Sequence, residues 1–522
     1  MNEPDDTADR PGRGLLKSSG VVSAMTMVSR VFGLVRDMVI AYFFGASAGA
    51  DAFFIAFRIP NFFRRLFAEG AFSQAFVPVL SEYRSTRSRA EVRDLLDRVS
   101  GSLGANLVAI TVVGVVGAPL VVSVFAAGFV FNEQSEKLQL ATDMLRLTFP
   151  YLLLISMTAF AGGILNSYGR FAVPAFTPVL LNLSLILCAI YLRPWMDVPV
   201  MALAWGVLIA GVVQLTFQLP FLAHEGLLPR PRVDFKHEGV RKILTLMLPA
   251  LFGVSVGQIN LLVDTLLASF LQTGSLSWLY YSDRLLEFPL ALFGITIATV
   301  ILPSLSREHA QASGEDFSKT MDWAIRMVCA IGIPASVALV FLSEALITTL
   351  FYQGEMTRND VMMASLSLKA YGVGLLGHML VKVLAPGYFS RQDTSTPVRY
   401  GVIALVSNMI LNLILIWHLK HAGLALATSI SAFINAGLLW MGLHKAGVWV
   451  PSRQWLKFGL QIIVANGVML AALFWMTPEL EGWFELGFWD RLARMLLICI
   501  AGALIYGASL ITTGFRFRQM VR

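Results

Sequence analysis

Residues 29–69 read SRVFGLVRDMVIAYFFGASAGADAFFIAFRIPNFFRRLFAE, and this stretch decides the fold class. It contains two apolar spans that carry charged side chains within them. An ionised side chain at bilayer depth costs about 2.5 to 3.5 kcal/mol on insertion scales, so it must face a protein interior or a water-filled cavity. Because positive charge is in surplus, the stretch predicts a cavity for an anion. Its charged residues are Arg30, Arg36, Asp37, Asp51, Arg58, Arg64, Arg65 and Glu69.

The composition of the whole chain also indicates a membrane protein. Of its 522 residues, 56% are hydrophobic and 14% are charged, whereas soluble domains are usually about 25% charged. With Gly, Pro and charge clusters taken as breaks, we predict an all-α polytopic membrane protein with about fourteen transmembrane helices, each able to cross roughly 30 Å of hydrocarbon. The three cysteines lie in apolar spans, which argues against disulfides and against a thiolate metal site.

The loop charges predict the orientation of the chain. The formal net charge is +7, and Lys and Arg concentrate in the short loops after the second and sixth spans. Basic loops of this kind remain in the cytoplasm. We therefore assign the positive charge to topology and not to nucleic acid binding, and we place both termini in the cytoplasm. No cleaved signal peptide is expected.

An internal repeat predicts two lobes. Residues near 50–220 resemble residues near 275–445 at an offset of about 225 to 230, and Asn182 and Asn412 each stand in an LNL context. Six duplicated spans give two six-helix lobes in the same orientation, as in transporters that rock two bundles around a midplane site. The predicted parts are a cytoplasmic tail 1–19, an N-lobe 20–222 with helices 1–6, a cytoplasmic loop 223–240, a C-lobe 241–444 with helices 7–12, and helices 13–14 over 455–513.

Arginines in the two lobes predict a phosphate clamp. A guanidinium binds phosphate oxygens bidentately and keeps its charge at any relevant pH. The alternative is that the charged residues form buried ion pairs that fix helix register, which suits Arg58 and Arg65. Ser29 and Ser277 flank the charges and could donate to sugar or phosphate oxygens, although such serines often bond to their own helix. The clamp residues are Arg30, Arg36, Arg64 and Arg284, and Asp283 and Glu287 lie within one turn of Arg284.

A second polar group predicts a cation site. Asp264 lies inside span seven without a positive neighbour in sequence. Side chains of Asn408, Asn412 and Thr428, with the carbonyl of Leu424, could supply further oxygen ligands for Na⁺. Interhelical hydrogen bonding of the amides is the alternative. His378 and Lys382, four residues apart on span ten, suggest proton coupling instead.

Four motifs resemble the MurJ (MviN) lipid II flippase family of the multidrug/oligosaccharidyl-lipid/polysaccharide (MOP) exporter superfamily. They are SRVFGLVRD, DAFFIAFRIPNFFRRLFAEGAFSQAFVPVL, SWLYYSDRLLEFP and KVLAPGYFSRQDTSTPV. The resemblance implies a fourteen-helix bacterial inner-membrane protein with a V-shaped cavity between two lobes. It further implies a role in peptidoglycan synthesis, cell-wall biogenesis and cell shape, in which lipid II, an undecaprenyl-diphosphate disaccharide pentapeptide, moves from the cytoplasmic to the periplasmic leaflet.

The resemblance also assigns roles to residues. It implies that Asp51 and Asp283 lie in the cavity with the four clamp arginines and matter for transport. Helices 13–14 would border a groove for the lipid tail, although padding of the fold explains them equally well.

We expect alternating access driven by the membrane potential, with coupling to Na⁺ or H⁺ and without a bound cofactor. Nucleotide-binding, zinc and nucleophile-elbow motifs are missing from the sequence, so an enzyme is not expected. We expect a functional monomer that associates with cell-wall synthesis proteins. The rival functions are a flippase for another undecaprenyl-diphosphate-linked glycan, such as an O-antigen or exopolysaccharide unit, a multidrug antiporter, and a non-transporting scaffold.

Overall fold

The computed structural model describes residues 11–311, 313–449 and 454–515, and all regular secondary structure within these ranges is helical. Part of the predicted tail, residues 1–10, therefore lies outside the described residues, and the first helix begins at Pro11. The helices of the first half of the chain are α1 Pro11–Phe44, α2 Ala48–Phe63, α3 Ser73–Thr86, α4 Arg89–Val116, α5 Ala118–Phe125, α6 Ala127–Phe131, α7 Ser135–Thr148, α8 Tyr151–Ser167, α9 Ala172–Leu187 and α10 Met201–His224. Those of the second half are α11 Glu238–Ser269, α12 Ser275–Pro289, α13 Thr296–Ala310, α14 Gly314–Phe341, α15 Ser343–Phe351, α16 Arg358–Phe389, α17 Ser395–Lys445, α18 Gln454–Met476, α19 Leu480–Glu485 and α20 Phe488–Thr512.

The helices confirm the predicted class, an all-α polytopic membrane protein. Within the described ranges, nine helical segments are long and apolar enough to cross a membrane. One of them, α17, has 51 residues and is interrupted at Lys420, whose φ of 50° and ψ of −129° are not helical. This break divides α17 into two helical parts.

Packing divides the chain into two compact units. The first comprises Met1–Ile40 and Ala52–Gln258, and the second comprises Ala41–Asp51 and Ile259–Arg522. The segment that joins α1 to α2 packs with the second unit, α11 begins in the first unit and ends in the second, and α18–α20 belong to the second unit.

The last helices join the second unit through an apolar core. Side chains of α18 and α20, including Ile462, Met469 and Ile498, are buried together with Ala330 of α14. The hydroxyl of Tyr506 donates to the carbonyl oxygen of Ala330 at 2.7 Å. Closely packed apolar side chains gain dispersion energy from many small contacts. The shared apolar core therefore holds the carboxy-terminal helices to the rest of the second unit.

Two π-helical segments stand at corresponding positions of the repeat. Arg64–Phe72 separates α2 from α3, and Leu290–Ile295 separates α12 from α13. A proline precedes each segment, Pro60 in α2 and Pro289 in α12. Proline lacks the N–H that would pair with the carbonyl four residues earlier. In α2 that carbonyl belongs to Ala56, and it accepts a hydrogen bond from Oγ1 of Thr148 at 2.8 Å.

Part of the predicted cytoplasmic loop packs against α4. The carbonyl oxygen and Oδ1 of Asp97 accept hydrogen bonds from the backbone N–H groups of Arg232 and Arg230 at 2.9 and 2.7 Å. A Cβ on Gly101 would lie 2.3 Å from the backbone of Arg232, so only glycine allows this approach. The pKa of Asp234 in this loop is lowered, mainly by a hydrogen bond from the backbone N–H of Lys236 and also by a hydrogen bond from the guanidinium of Arg98. The loop is therefore an ordered part of the first unit.

Candidate substrate and cation sites

Arg36 is the most enclosed of the four predicted clamp arginines. Its Nε and Nη2 donate to Oδ1 of Asp37 at 2.9 and 2.7 Å, and its Nη1 donates to Oδ1 of Asn182 on α9 at 2.9 Å. Arg36 is 6% exposed and Asp37 is 1% exposed. A buried charge requires a partner and hydrogen bonds, so Asp37 serves as its counter-charge.

Arg30 and Arg64 are more accessible members of the first unit. Both side chains are half-buried. Nε of Arg64 donates to Oδ1 of Asn61 at 3.0 Å, and Asn61 in turn donates to the carbonyl oxygen of Phe57 at 2.8 Å. Arg64 is also the first residue of the π-helical segment.

Arg284 of the second unit lies on α12 beside an acid and an aromatic ring. Its Nη1 donates to Oε2 of Glu287 at 2.8 Å, and its guanidinium lies 4.9 Å from the centre of the Tyr280 ring. The side chain of Arg284 remains 30% exposed and that of Glu287 remains 41% exposed. Asp283 is half-buried beside them. A phosphate could therefore reach this guanidinium without displacing buried apolar side chains.

Asp51 and Ser277, two further predicted substrate residues, bond to each other. Oδ1 of Asp51 accepts from N and Oγ of Ser277 at 3.0 and 2.7 Å, and Oδ2 accepts from N of Gly274 at 2.8 Å. Asp51 is 1% exposed and Ser277 is fully buried. Gly274 precedes α12 in a left-handed conformation and has no capping side chain. Asp51 thus caps the amino terminus of α12, a role that sequence reasoning missed.

The five predicted cation residues come together in the second unit. Nδ2 of Asn412 donates to Oδ1 of Asp264 at 2.7 Å and to Oδ1 of Asn408 at 2.9 Å. Oγ1 of Thr428 lies 3.5 Å from Oδ2 of Asp264 and donates to the carbonyl oxygen of Leu424 at 3.1 Å. Asn408 and Asn412 are fully buried. The cluster therefore concentrates carboxylate, amide, hydroxyl and carbonyl oxygens around a single acid.

Comparison with known proteins identifies the family. Residues 40–491 match the family model described as lipid II flippase MurJ. The chain is 53% identical to the "probable lipid II flippase MurJ" of Vibrio cholerae over 511 residues, which cover 97% of each protein. The chain belongs to the lipid II flippase MurJ family. This membership confirms the resemblance carried by the four motifs.

Solved structures agree with this family. The fold is similar to a structure described as "lipid II flippase MurJ, inward closed conformation", with a TM-score of 0.77 and 28% identity over 96% of this chain and 99% of that chain. An inward-facing multidrug resistance MATE transporter of the MOP superfamily matches with a TM-score of 0.63 and 16% identity, over 82% of this chain and 98% of that one. The second likeness concerns the fold alone.

Other predicted features remain predictions within the family fold. His378 of α16 is half-buried, and its Nε2 has no hydrogen-bond partner among the described residues. Nζ of Lys369, on the same helix, donates to Oε1 of Glu344 at 2.5 Å. Proton coupling through His378 and Lys382 remains a prediction. The lipid-tail groove at helices 13–14, here α18 and α20, likewise remains a prediction.

Proposed function

We propose that this chain translocates lipid II from the cytoplasmic to the periplasmic leaflet of the bacterial inner membrane. The observation that carries the proposal is the identity of 53%, over nearly the full length of both proteins, to a protein named as a probable lipid II flippase. The chain acts as a transporter and not as an enzyme. Both termini lie in the cytoplasm, the monomer is the functional form, and cell-wall synthesis proteins are its neighbours in the membrane.

The guanidinium groups of Arg30, Arg36, Arg64 and Arg284 bind the diphosphate of lipid II. Support for this assignment comes from the partial exposure of Arg30, Arg64 and Arg284 and from the geometric match between guanidinium and phosphate oxygens. Translocation proceeds by alternating access. The membrane potential supplies energy, since moving one charge through 100 mV is worth about 2.3 kcal/mol.

Genetic complementation tests the proposed function. Expression of this chain should restore growth to a bacterial strain depleted of its own lipid II flippase. The same chain should fail to restore surface glycan in a strain that lacks an O-antigen flippase, and it should not lower the accumulation of a cationic drug. Growth that is not restored, by a protein present in the membrane at normal levels, would contradict the proposal.

A Na⁺ site on the second unit is the proposed coupling element. Oδ1 of Asn412 is buried without a hydrogen-bond partner among the described residues, so this oxygen suits a cation. Hard oxygen donors are the ligands of small hard cations. The Na⁺ would be held beside the carboxylate of Asp264 by oxygens of Asn408, Asn412 and Thr428 and by the carbonyl oxygen of Leu424.

The proposed site predicts Na⁺-dependent stability. Replacing choline by Na⁺ at constant ionic strength should raise the melting temperature of the purified protein, because a ligand at 100 times its Kd stabilises the folded state by about 2.7 kcal/mol. Asp264→Asn should abolish the Na⁺ effect. Asp490→Asn, which changes an exposed acid in the first turn of α20, should retain it. If Na⁺ raises the melting temperature of the Asp264→Asn variant as much as that of the wild type, the proposed Na⁺ site is wrong.

A further inference from the structure

Asn182 contacts two levels of α1 with one amide group. Its Oδ1 accepts from Nη1 of Arg36 at 2.9 Å, and its Nδ2 donates to the carbonyl oxygen of Ser29 at 3.0 Å. Helix geometry explains how one short side chain reaches both. Side chains lean toward the amino terminus of a helix and carbonyls point toward its carboxyl terminus, so Arg36 and Ser29 converge near Gly33. A Cβ on Gly33 would lie 3.7 Å from Nδ2 of Asn182.

Asn412 makes a comparable contact in the second unit. By the internal repeat it corresponds to Asn182, and it too approaches a charged side chain on the first helix of its half. Its Nδ2 donates to Oδ1 of Asp264 at 2.7 Å. An amide can present either its oxygen or its nitrogen, so the same residue type accepts from a guanidinium in one unit and donates to a carboxylate in the other. In each unit, therefore, this asparagine holds a charged side chain of the first helix by a hydrogen bond.

We propose that Asn182 is a positioning residue that holds Arg36 and the adjoining turn of α1, with Arg30, for diphosphate binding. The inference rests on the proposed function. Asp37 alone would draw the guanidinium toward its own carboxylate, whereas Asn182 fixes Nη1 from a different helix without adding negative charge. A neutral amide therefore orients Arg36 and leaves the attraction for an anion undiminished.

The charge of the residue at position 182 gives a test that separates positioning from packing. Binding of farnesyl diphosphate, a soluble polyprenyl diphosphate, would be measured on the full-length protein in nanodiscs. Asn182→Leu removes both hydrogen bonds and should lower the affinity about tenfold. Asn182→Asp keeps an acceptor for Arg36 but adds a negative charge, and it should lower the affinity about a hundredfold. A purely structural role gives the reverse order, because the leucine variant loses more hydrogen bonds.

Three comparisons decide the outcome. In an Arg36→Ala background Asn182→Leu should have a smaller further effect on binding than in the wild type, since residues that act together are not additive. Gln214→Leu and Gln214→Glu change a buried amide of the same unit, whose Nε2 donates to the carbonyl oxygen of Thr177 at 3.1 Å, and should not change the affinity. Melting temperatures identify variants that fail to fold.

Normal binding by both Asn182 variants, with weakened binding by Arg36→Ala, would overturn the positioning role and leave the proposed arginine clamp intact. Normal binding by Arg36→Ala would overturn the role of Arg36 in the clamp, and with it the role of Asn182. The reverse order of the leucine and aspartate variants would reduce Asn182 to a packing residue.

Discussion

Replacing Arg284 by Ala should abolish lipid II translocation while the protein remains folded in the membrane. A hydrogen bond to a charged group contributes about 1.5 to 3 kcal/mol, so loss of one guanidinium should weaken diphosphate binding about 10- to 100-fold. Fold stability should change little, because the lost ion pair with Glu287 is partly exposed and such pairs contribute about 0 to 1 kcal/mol. Translocation of fluorescent lipid II in proteoliposomes measures the first effect, and the melting temperature measures the second.

Two further variants make this test specific. Arg284→Lys keeps the charge but loses the planar fork, so it should translocate at an intermediate rate. Arg358→Ala is the matched control in the same unit: Nη1 of Arg358 donates to Oε2 of Glu481 at 3.1 Å on the surface, and its loss should leave transport unchanged. Translocation at the wild-type rate by the Arg284→Ala variant would remove Arg284 from the clamp.

The fold class could be predicted because it depends on local properties of the chain. Apolar runs of membrane-spanning length and charged loops are visible in the sequence itself. The π-helical segments that follow α2 and α12 were not predicted. They depend on how the backbone re-registers after Pro60 and Pro289, and therefore on neighbours such as Thr148, which is distant in sequence but satisfies the carbonyl of Ala56.

The site could be predicted only in part, for a related reason. The sequence itself shows which side chains are charged. Residue type and helical spacing also indicated which side chains lie near Asp264, and the structure brings those side chains together. The partner of each group is a tertiary property. Gly274 occupies the N-cap position of α12, where a serine, threonine, aspartate or asparagine usually caps the helix, yet the capping acid is Asp51, more than two hundred residues earlier. Its use as a cap is therefore invisible in the local sequence.

Among the variants proposed here, Asp51→Ala, which removes the cap of α12, should lower the free energy of unfolding the most. Asp51→Ala leaves N of Gly274, N of Ser277 and Oγ of Ser277 without their acceptor in a buried place. A lost cap costs about 0.5 to 2 kcal/mol and each unsatisfied buried donor about 1 to 3 kcal/mol, so we expect the free energy of unfolding to fall by about 3 kcal/mol or more. Ser277→Ala removes one donor together with its bond and should cost only about 1 kcal/mol. Unfolding in detergent measures both.

Asp51→Asn distinguishes capping from direct substrate binding. The amide retains one acceptor oxygen but presents a donor toward N of Gly274, and it removes the negative charge that favours the positive end of the α12 dipole. Capping therefore predicts a lowered melting temperature, with normal lipid II binding by the fraction that remains folded. Asp197→Ala, which removes an exposed acid that lies outside the helices, should change neither quantity. Unchanged stability with lost lipid II binding in Asp51→Asn would instead assign Asp51 to the substrate, because a buried cap cannot be lost without weakening the helix that it holds.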